Sequence, residues 1–328
     1  MKRKTYIAIS ALAVIIVSVI MGGSFYMLGY SLDPDPNRRD IDSALQVLYG
    51  RAPFMKAWTD SVRGNGLLRD TFITSVDGRR MHAVYMRGDS ACGRTAIVVH
   101  GYKDCHVTFL YIGRMYQERM GYNILLPDLN AHGLSDGESI QMGWKDRKDV
   151  IRWAEVAEEM FRDSTGKSQI VIHGVSMGAA TTMCVSGENL PEYIKCFVED
   201  CGYTSVWDEF RNELHDEFSL PSFPLMYTAD MLCRMKYGWG FTEASPVSQV
   251  RKCRRPMMFI HGDKDTFVPT WMVYRLYEAK PGNKVLWVAP GTEHARACLD
   301  HPEEYAGRVG AFIASAVVSG QTSSASEK

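Results

Sequence analysis

Three residue types in one chain order can do acyl chemistry: a serine between glycines, then carboxylates, then a histidine. The serine is Ser176, in Gly174-Val175-Ser176-Met177-Gly178. The apolar run Gln169-Ile-Val-Ile-His173 precedes it and reads as a strand; Ala179–Met183 can continue as a helix. A sharp strand-to-helix turn lifts a serine hydroxyl off a sheet, and small neighbours let other backbone come close. A hydroxyl is a poor nucleophile, so it needs a base, and the base needs a carboxylate to orient it.

Of the nine histidines, two follow the serine in the order this turn implies: His294 and His301. His294 sits in Pro290-Gly-Thr-Glu-His294, just after the apolar run Val285–Val288. That is where a base should sit, on a loop at a strand's carboxyl end. His301 precedes Pro302 and reads as the start of the last helix. For the acid, Asp263 and Asp265 both follow the strand Met257–Ile260, and Asp200 ends the strand before them. The residues alone leave these open. The oxyanion formed on attack needs two backbone N–H groups. Met177 offers one at the helix start. Tyr102, after Ile97-Val-Val-His100-Gly101, offers the other.

These residues need a scaffold of alternating strands and helices. A hairpin is expected at Thr71–Val76, Asp77-Gly78 and Arg79–Met86. Apolar strands follow at Thr95–Val99, Tyr122–Leu126, Gln169–Ile172, Cys196–Glu199, Met257–Ile260 and Val285–Val288. Between and after them, helical spacing appears at Val150, Ala154, Ala157 and Phe161, and at Tyr305, Val309, Phe312 and Ala316. The expected fold is α/β, a mostly parallel doubly wound sheet. Residues 203–250 are too long for an ordinary connection and read as a helical cap insertion. Trp207 and Phe210 there are candidate substrate-binding residues; the competing role is the cap's own core.

The segments His100-Gly-Tyr-Lys-Asp104, Pro127-Asp-Leu-Asn-Ala-His-Gly-Leu-Ser135, His173–Gly178, Glu199–Ser205 and His261-Gly-Asp-Lys-Asp-Thr-Phe-Val-Pro269 occur in order. On these the chain resembles the α/β-hydrolase superfamily. It is most similar to bacterial membrane-anchored or secreted hydrolases of the serine aminopeptidase and lysophospholipase type. The resemblance spans about residues 71–316. It implies Ser176 as nucleophile, His294 as base and Asp265 as acid, with the Tyr102 and Met177 N–H groups as oxyanion donors. It also implies that Asp128 and His132 shape a nearby loop. It does not fix the substrate, because one fold hosts many chemistries.

The ends of the chain carry a different message. Lys2, Arg3 and Lys4 precede an uncharged run from Tyr6 to Leu28, about 34 Å of helix and enough to cross a bilayer. A cleaved secretory signal has the same start, with Gly22-Gly23-Ser24 as a weak processing site. Phe25, Tyr26 and Tyr30 instead suit an interface, so the run reads as an uncleaved transmembrane signal anchor over residues 1–30. The basic triplet places the N-terminus in the cytoplasm and the catalytic domain outside it. Residues 31–70 read as a linker and an N-terminal helical segment carrying Pro53. Residues 71–318 form the catalytic domain, and residues 319–328 a disordered Ser-rich tail.

The 37 basic and 38 acidic residues leave a net charge of −1, which argues against a nucleic-acid partner. The eight cysteines form no CxxC pair, so no metal is implied, and no organic cofactor either. Three functions compete. The first is a serine hydrolase of carboxylic esters working through an acyl-enzyme. The second is a peptidase or amidase with the same triad, gripping a substrate amine through cap carboxylates such as Glu209, Glu213, Asp216 or Glu217. The third is a hydrolase fold used only for binding. The partners expected are a small acyl ester or peptide and, through the N-terminal helix, a membrane.

Overall fold

The computed structural model describes residues 2–88 and 93–325, with side chains of residues 3–88 and 93–317. Its centre is an eight-stranded sheet. The strands are β1 (Arg69–Thr74), β2 (Arg80–Met86), β3 (Arg94–Val99), β4 (Asn123–Pro127), β5 (Gln169–Val175), β6 (Ile194–Asp200), β7 (Met257–Gly262) and β8 (Lys284–Ala289). Their spatial order is β1-β2-β4-β3-β5-β6-β7-β8. The β1–β2 and β2–β4 pairings are antiparallel and all others parallel. This is the mostly parallel sheet that strand–helix alternation implies.

Burial explains the sequence pattern. β4 and β7 are buried at every residue, as continuous apolar strands covered on both faces should be. The edge strands β1 and β8 alternate in exposure. The order reverses around β3, which lies between β4 and β5. Such a reversal opens a crevice at the carboxyl ends of the strands.

Two compact units make up the chain. The larger holds residues 34–204 and 246–328. Besides the sheet it contains α2 (Ile41–Arg51), α3 (Met55–Gly64), α4 (Leu110–Met120), α5 (Asp146–Phe161), α6 (Met177–Ser186), α9 (Pro246–Val250), α10 (Trp271–Ala279), α11 (Ala297–Asp300) and α12 (Pro302–Ala325). Pro53 falls in the break between α2 and α3, where its missing N–H costs nothing. The core gathers Leu48, Met55, Ile112, Tyr116, Ile260 and Tyr305. The last helix runs from Pro302 to Ala325, into the Ser-rich end of the chain. α12 continues through these residues, with no proline to stop it. Residues 326–328 lie outside the described residues.

The smaller unit joins α1 (Lys2–Leu32) to α7 (Val206–Phe218) and α8 (Leu225–Tyr237) of the inserted segment. α1 packs on α8 through small residues. The Ser24 hydroxyl contacts that of Thr228, and a Cβ added at Gly23 would lie 3.2 Å from Leu225 Cδ2. Close approach at Gly and Ser is how apolar helices pack without a hydrophobic driving force. Further along, Tyr30 donates to Glu217 at 2.9 Å and sets its ring edge-on to Phe218. Leu28, Leu32, Leu214 and Leu232 are buried within this unit, whereas α1 from Tyr6 to Val19 is an apolar exposed rod. α1 is long and apolar enough to cross a membrane.

Candidate active site

The sequence around Ser176 forces an uncommon backbone. Ser176 sits between β5 and α6 with φ +57° and ψ −120°, a region that costs a non-glycine residue strain. Its N–H donates to the carbonyl of Asp200 at 2.8 Å, pinning the turn to β6. Gly174 and Gly178 are required here. A Cβ at Gly174 would overlap the Gly178 carbonyl, and one at Gly178 the Val99 carbonyl. Small residues thus let the turn close against the end of β3.

Two loops bring the other groups. The β7 loop carries Asp265 and the β8 loop carries His294. Backbone bonds stitch them together: Asp263 N–H to Ala289 O at 3.1 Å, and Lys264 N–H to Thr292 O at 2.9 Å. His294 Nε2 lies 2.9 Å from Ser176 Oγ, and its Nδ1 lies 2.7 Å from Asp265 Oδ2. With the proton on Nδ1, His294 donates to Asp265 and its Nε2 accepts from the serine hydroxyl. The other Asp265 oxygen accepts from the N–H groups of Phe267 and Val268 at 3.1 and 2.9 Å. Burial would raise the Asp265 pKa, but hydrogen bonds from His261 and His294 outweigh it and hold the carboxyl below its ordinary value. It is ionised throughout the neutral range.

Asp200, the rival acid, is engaged elsewhere. Tyr116 O–H donates to His173 Nδ1 at 3.0 Å, His173 Nε2–H to Tyr305 Oη at 2.8 Å, and Tyr305 O–H to Asp200 Oδ2 at 2.8 Å. Burial lowers His173 to about 3 and raises Asp200 to about 6, the latter opposed by the Tyr305 bond. His301 also has another partner, donating to Pro290 O at 2.9 Å.

A cavity of about 410 Å³ opens on Ser176 and His294. Gly101 and Tyr102 line it after β3, and a Cβ on Gly101 would lie 3.4 Å from Ser176 Cβ. Met177 is buried at the start of α6, where backbone N–H groups lack helical partners. Sequence reasoning did not place Arg51, Asp104, Phe267 or Arg296 on this cavity, where the structure does. Arg51 ends α2, far upstream in the chain, so no spacing signalled it. Burial raises the Asp104 pKa, while the Arg51 charge acts in the opposite direction. The ring of Phe267 lies 4.9 Å from that of His294 and covers one side of the base.

Trp207 and Phe210 are not among the residues lining this cavity. Trp207 stands edge-on to Tyr227 at 5.1 Å and Phe210 to Phe241 at 4.9 Å, which is packing within the small unit. Of the carboxylates considered for gripping an amine, Glu217 accepts from Tyr30, and Asp216 pairs with His215. Glu209 is buried. Burial, with Glu217 and Asp216 nearby, raises Glu213 to about 7.

Asp128, after β4, shapes the loop beside the site. It accepts from the N–H groups of His106 and Leu134 at 2.8 and 2.9 Å and from the rings of His82 and His106. Burial would raise its pKa, but His106 and His82 outweigh that and hold it well below the usual range. His132 accepts from Lys103 N–H at 3.1 Å, tying this loop to the one bearing Tyr102. The seven described cysteines are buried free thiols.

The model of the prolyl oligopeptidase family matches residues 134–314, just over half of the chain and a stretch containing Ser176, Asp265 and His294. The chain belongs to the prolyl oligopeptidase family. It is thus an α/β-hydrolase of the serine hydrolase kind. A curated relative, the uncharacterized protein YqkD of Bacillus subtilis (strain 168), is 25% identical over 95% of this chain and 97% of its own. The solved esterase Pf2001 of Pyrococcus furiosus is 25% identical, covering 77% of this chain and 94% of that one, with a TM-score of 0.59. The acylaminoacyl peptidase of Pyrococcus horikoshii shares the fold at 15% identity and a TM-score of 0.56. That match covers 77% of this chain and 42% of the peptidase. The fold is thus shared by a protein named an esterase and by one named a peptidase.

Proposed function

We propose that this prolyl oligopeptidase family member cleaves carboxylic esters through an acyl-enzyme, with Ser176, His294 and Asp265 as its triad. The hydrogen-bonded series from Ser176 Oγ through the imidazole to Asp265 carries the reading. Ser176 Oγ attacks the ester carbonyl carbon as His294 Nε2 takes its proton. Asp265 stabilises the imidazolium. The Tyr102 and Met177 N–H groups receive the charge on the carbonyl oxygen. Collapse breaks the carbon–oxygen bond, and His294 returns the proton to the leaving alkoxide. Water, deprotonated by His294, then attacks the acyl-enzyme, and a second collapse frees the acid and Ser176.

Esters are favoured because the Pf2001 relative is an esterase and the cap carboxylates Asp216 and Glu217 already have partners. The peptide alternative rests on the family name itself. A fluorophosphonate probe should label the protein and fail to label Ser176→Ala. Labelling that survives this substitution would move the nucleophile elsewhere, and no labelling of either would favour a binding role. Acyl esters should turn over at least about 10²-fold faster than aminoacyl amides of the same acyl group. The opposite ranking would establish the peptidase alternative.

We also read α1 as an uncleaved anchor with its basic start in the cytoplasm and the catalytic residues outside. Ser24, within the weak processing site, is buried against α8, which argues for retention. The full-length protein should pellet with membranes and resist alkaline carbonate extraction. Recovery as a shortened soluble species would instead establish cleavage.

A further inference from the structure

The smaller unit carries an apolar surface that the catalytic reading does not use. From Ser219 to Ala229 the chain has no charged residue, although Glu217 and Asp230 stand at either side. Within this run Phe223 is 74% exposed, Tyr227 57% and Leu220 39%. Isolated exposed apolar residues need no explanation, but three together on an uncharged turn do.

α1 supplies a ruler for their depth. Leu225 meets α1 at Gly23 and Thr228 meets it at Ser24. At the other end of α8, the charge of Lys236 is in reach of Asp33. Ten residues of α1 rise about 15 Å and eleven of α8 about 17 Å, so the two helices run side by side in the same direction. α7 ends at the level of Tyr30, through Glu217 and Phe218. Between Phe218 and Leu225 the chain therefore descends along α1, from the level of residue 30 to that of residue 23. The α7–α8 turn is the part of the insertion closest to the exposed apolar rod.

A bilayer core about 30 Å thick, measured from Tyr6, ends near Phe25 and Tyr26. Both are exposed, at 52% and 65%, as aromatic residues at a lipid–water boundary would be. The turn lies at or just inside that level. We infer that the α7–α8 turn, with Leu220, Phe223 and Tyr227 at its surface, is a second membrane contact seated in the lipid headgroup–acyl boundary beside α1. The inference rests on the reading of α1 as a membrane span. Continuity with α1 selects lipid as the occupant, because any other cover would have to displace lipid from the surface adjoining the span. Two contacts of one rigid helix pair would fix the tilt of the small unit, which a single helix leaves free.

The test uses the full chain in phosphatidylcholine vesicles with Cys92 replaced by Ser. An environment-sensitive fluorophore is attached singly to Val14→Cys, Phe223→Cys or Met235→Cys, all exposed positions. Nitroxide-labelled lipids quench at known depths. The Val14 probe should be quenched most by deep nitroxides. The Phe223 probe should be blue-shifted and quenched by shallow nitroxides at least about twofold more than the Met235 probe, which lies some 18 Å further along α8. Equal, weak quenching at 223 and 235 with deep quenching at 14 overturns the contact and leaves the anchor standing. A blue shift at 223 without quenching means that protein covers the turn, and also overturns it. Absence of quenching at 14 overturns the span and the contact with it.

Discussion

Asp265→Asn lowers kcat by at least about 10²-fold, approaching 10⁴, while Asp200→Asn has a milder effect and both proteins stay folded. This outcome is expected from the partners of the two carboxylates. Asp265 accepts the Nδ1–H of His294 at 2.7 Å, so it sets the tautomer that leaves Nε2 free to take the serine proton. Asparagine can present its N–H₂ to Nδ1 and reverse the tautomer, and in a comparable triad this costs about 10⁴-fold, or roughly 5.5 kcal/mol. KM should change little, because the acid acts on the transition state and not on substrate binding. Asp200 instead accepts from Tyr305 at 2.8 Å. Its neutralisation disturbs a structural chain of hydrogen bonds one step away from the serine. Steady-state kinetics on an activated ester, with thermal melts of both variants, separate the cases. A crippled Asp200→Asn beside a near-normal Asp265→Asn would transfer the acid role to β6.

Asp128→Ala destabilises the larger unit by about 3 to 5 kcal/mol, or a fall in Tm of roughly 10 °C. The substitution strips one buried acceptor from two backbone N–H groups and two histidine rings at once. Each of those donors would be left in a buried site with its carboxylate acceptor gone. The sign of the pH dependence follows from the depressed carboxyl. Its contribution is present above the ordinary aspartate value near 4 and disappears as pH falls through its lower folded value. His82 acts the other way. Burial would lower its pKa, but Asp128 and Asp70 outweigh this and raise it. Its share is thus full below about 6.5 and fades as pH rises through the raised value. Thermal melts across pH should show the difference between wild type and Asp128→Ala narrowing at acid pH. A constant difference from pH 2 to 8 would mean the loss is one of packing alone.

Parts of this arrangement could be read in the chain because they are local. β4 and β7 are short apolar runs between turn residues, and a strand buried on both faces can be little else. Gly174–Gly178 is a local steric requirement, and the places of Ser176 and His294 follow from where strands end, whereas Asp265 was singled out among the carboxylates by the resemblance. Other parts are products of tertiary closure. Arg51 reaches the Ser176 cavity from a helix that precedes the whole sheet. Asp200 rivalled Asp265 on residue pattern alone because the one ends a strand and the other closely follows one; in the fold Asp200 is taken up by Tyr305, a hundred residues away on α12. Aromatic side chains serve packing and binding alike, and Phe210 does both here: it sets its ring edge-on to Phe241 and lines a cavity of the small unit away from Ser176.

The small unit is assembled from chain segments separated by the greater part of a domain. α1 leaves the ribosome first, and its partners in α7 and α8 follow after about 170 residues. At 5 to 20 residues per second, roughly 10 to 40 s pass before Thr228 exists to meet Ser24. During that interval the packing face of α1 around Gly23 and Leu28 is open to lipid or to a membrane chaperone. The insertion can settle on it only after most of the sheet has been synthesised. Trimming the chain at residue 33 to obtain a soluble form would therefore remove half of a helix pair as well as an anchor. The exposed flank of α8, from Leu225 to Leu232, would then be the first surface to aggregate.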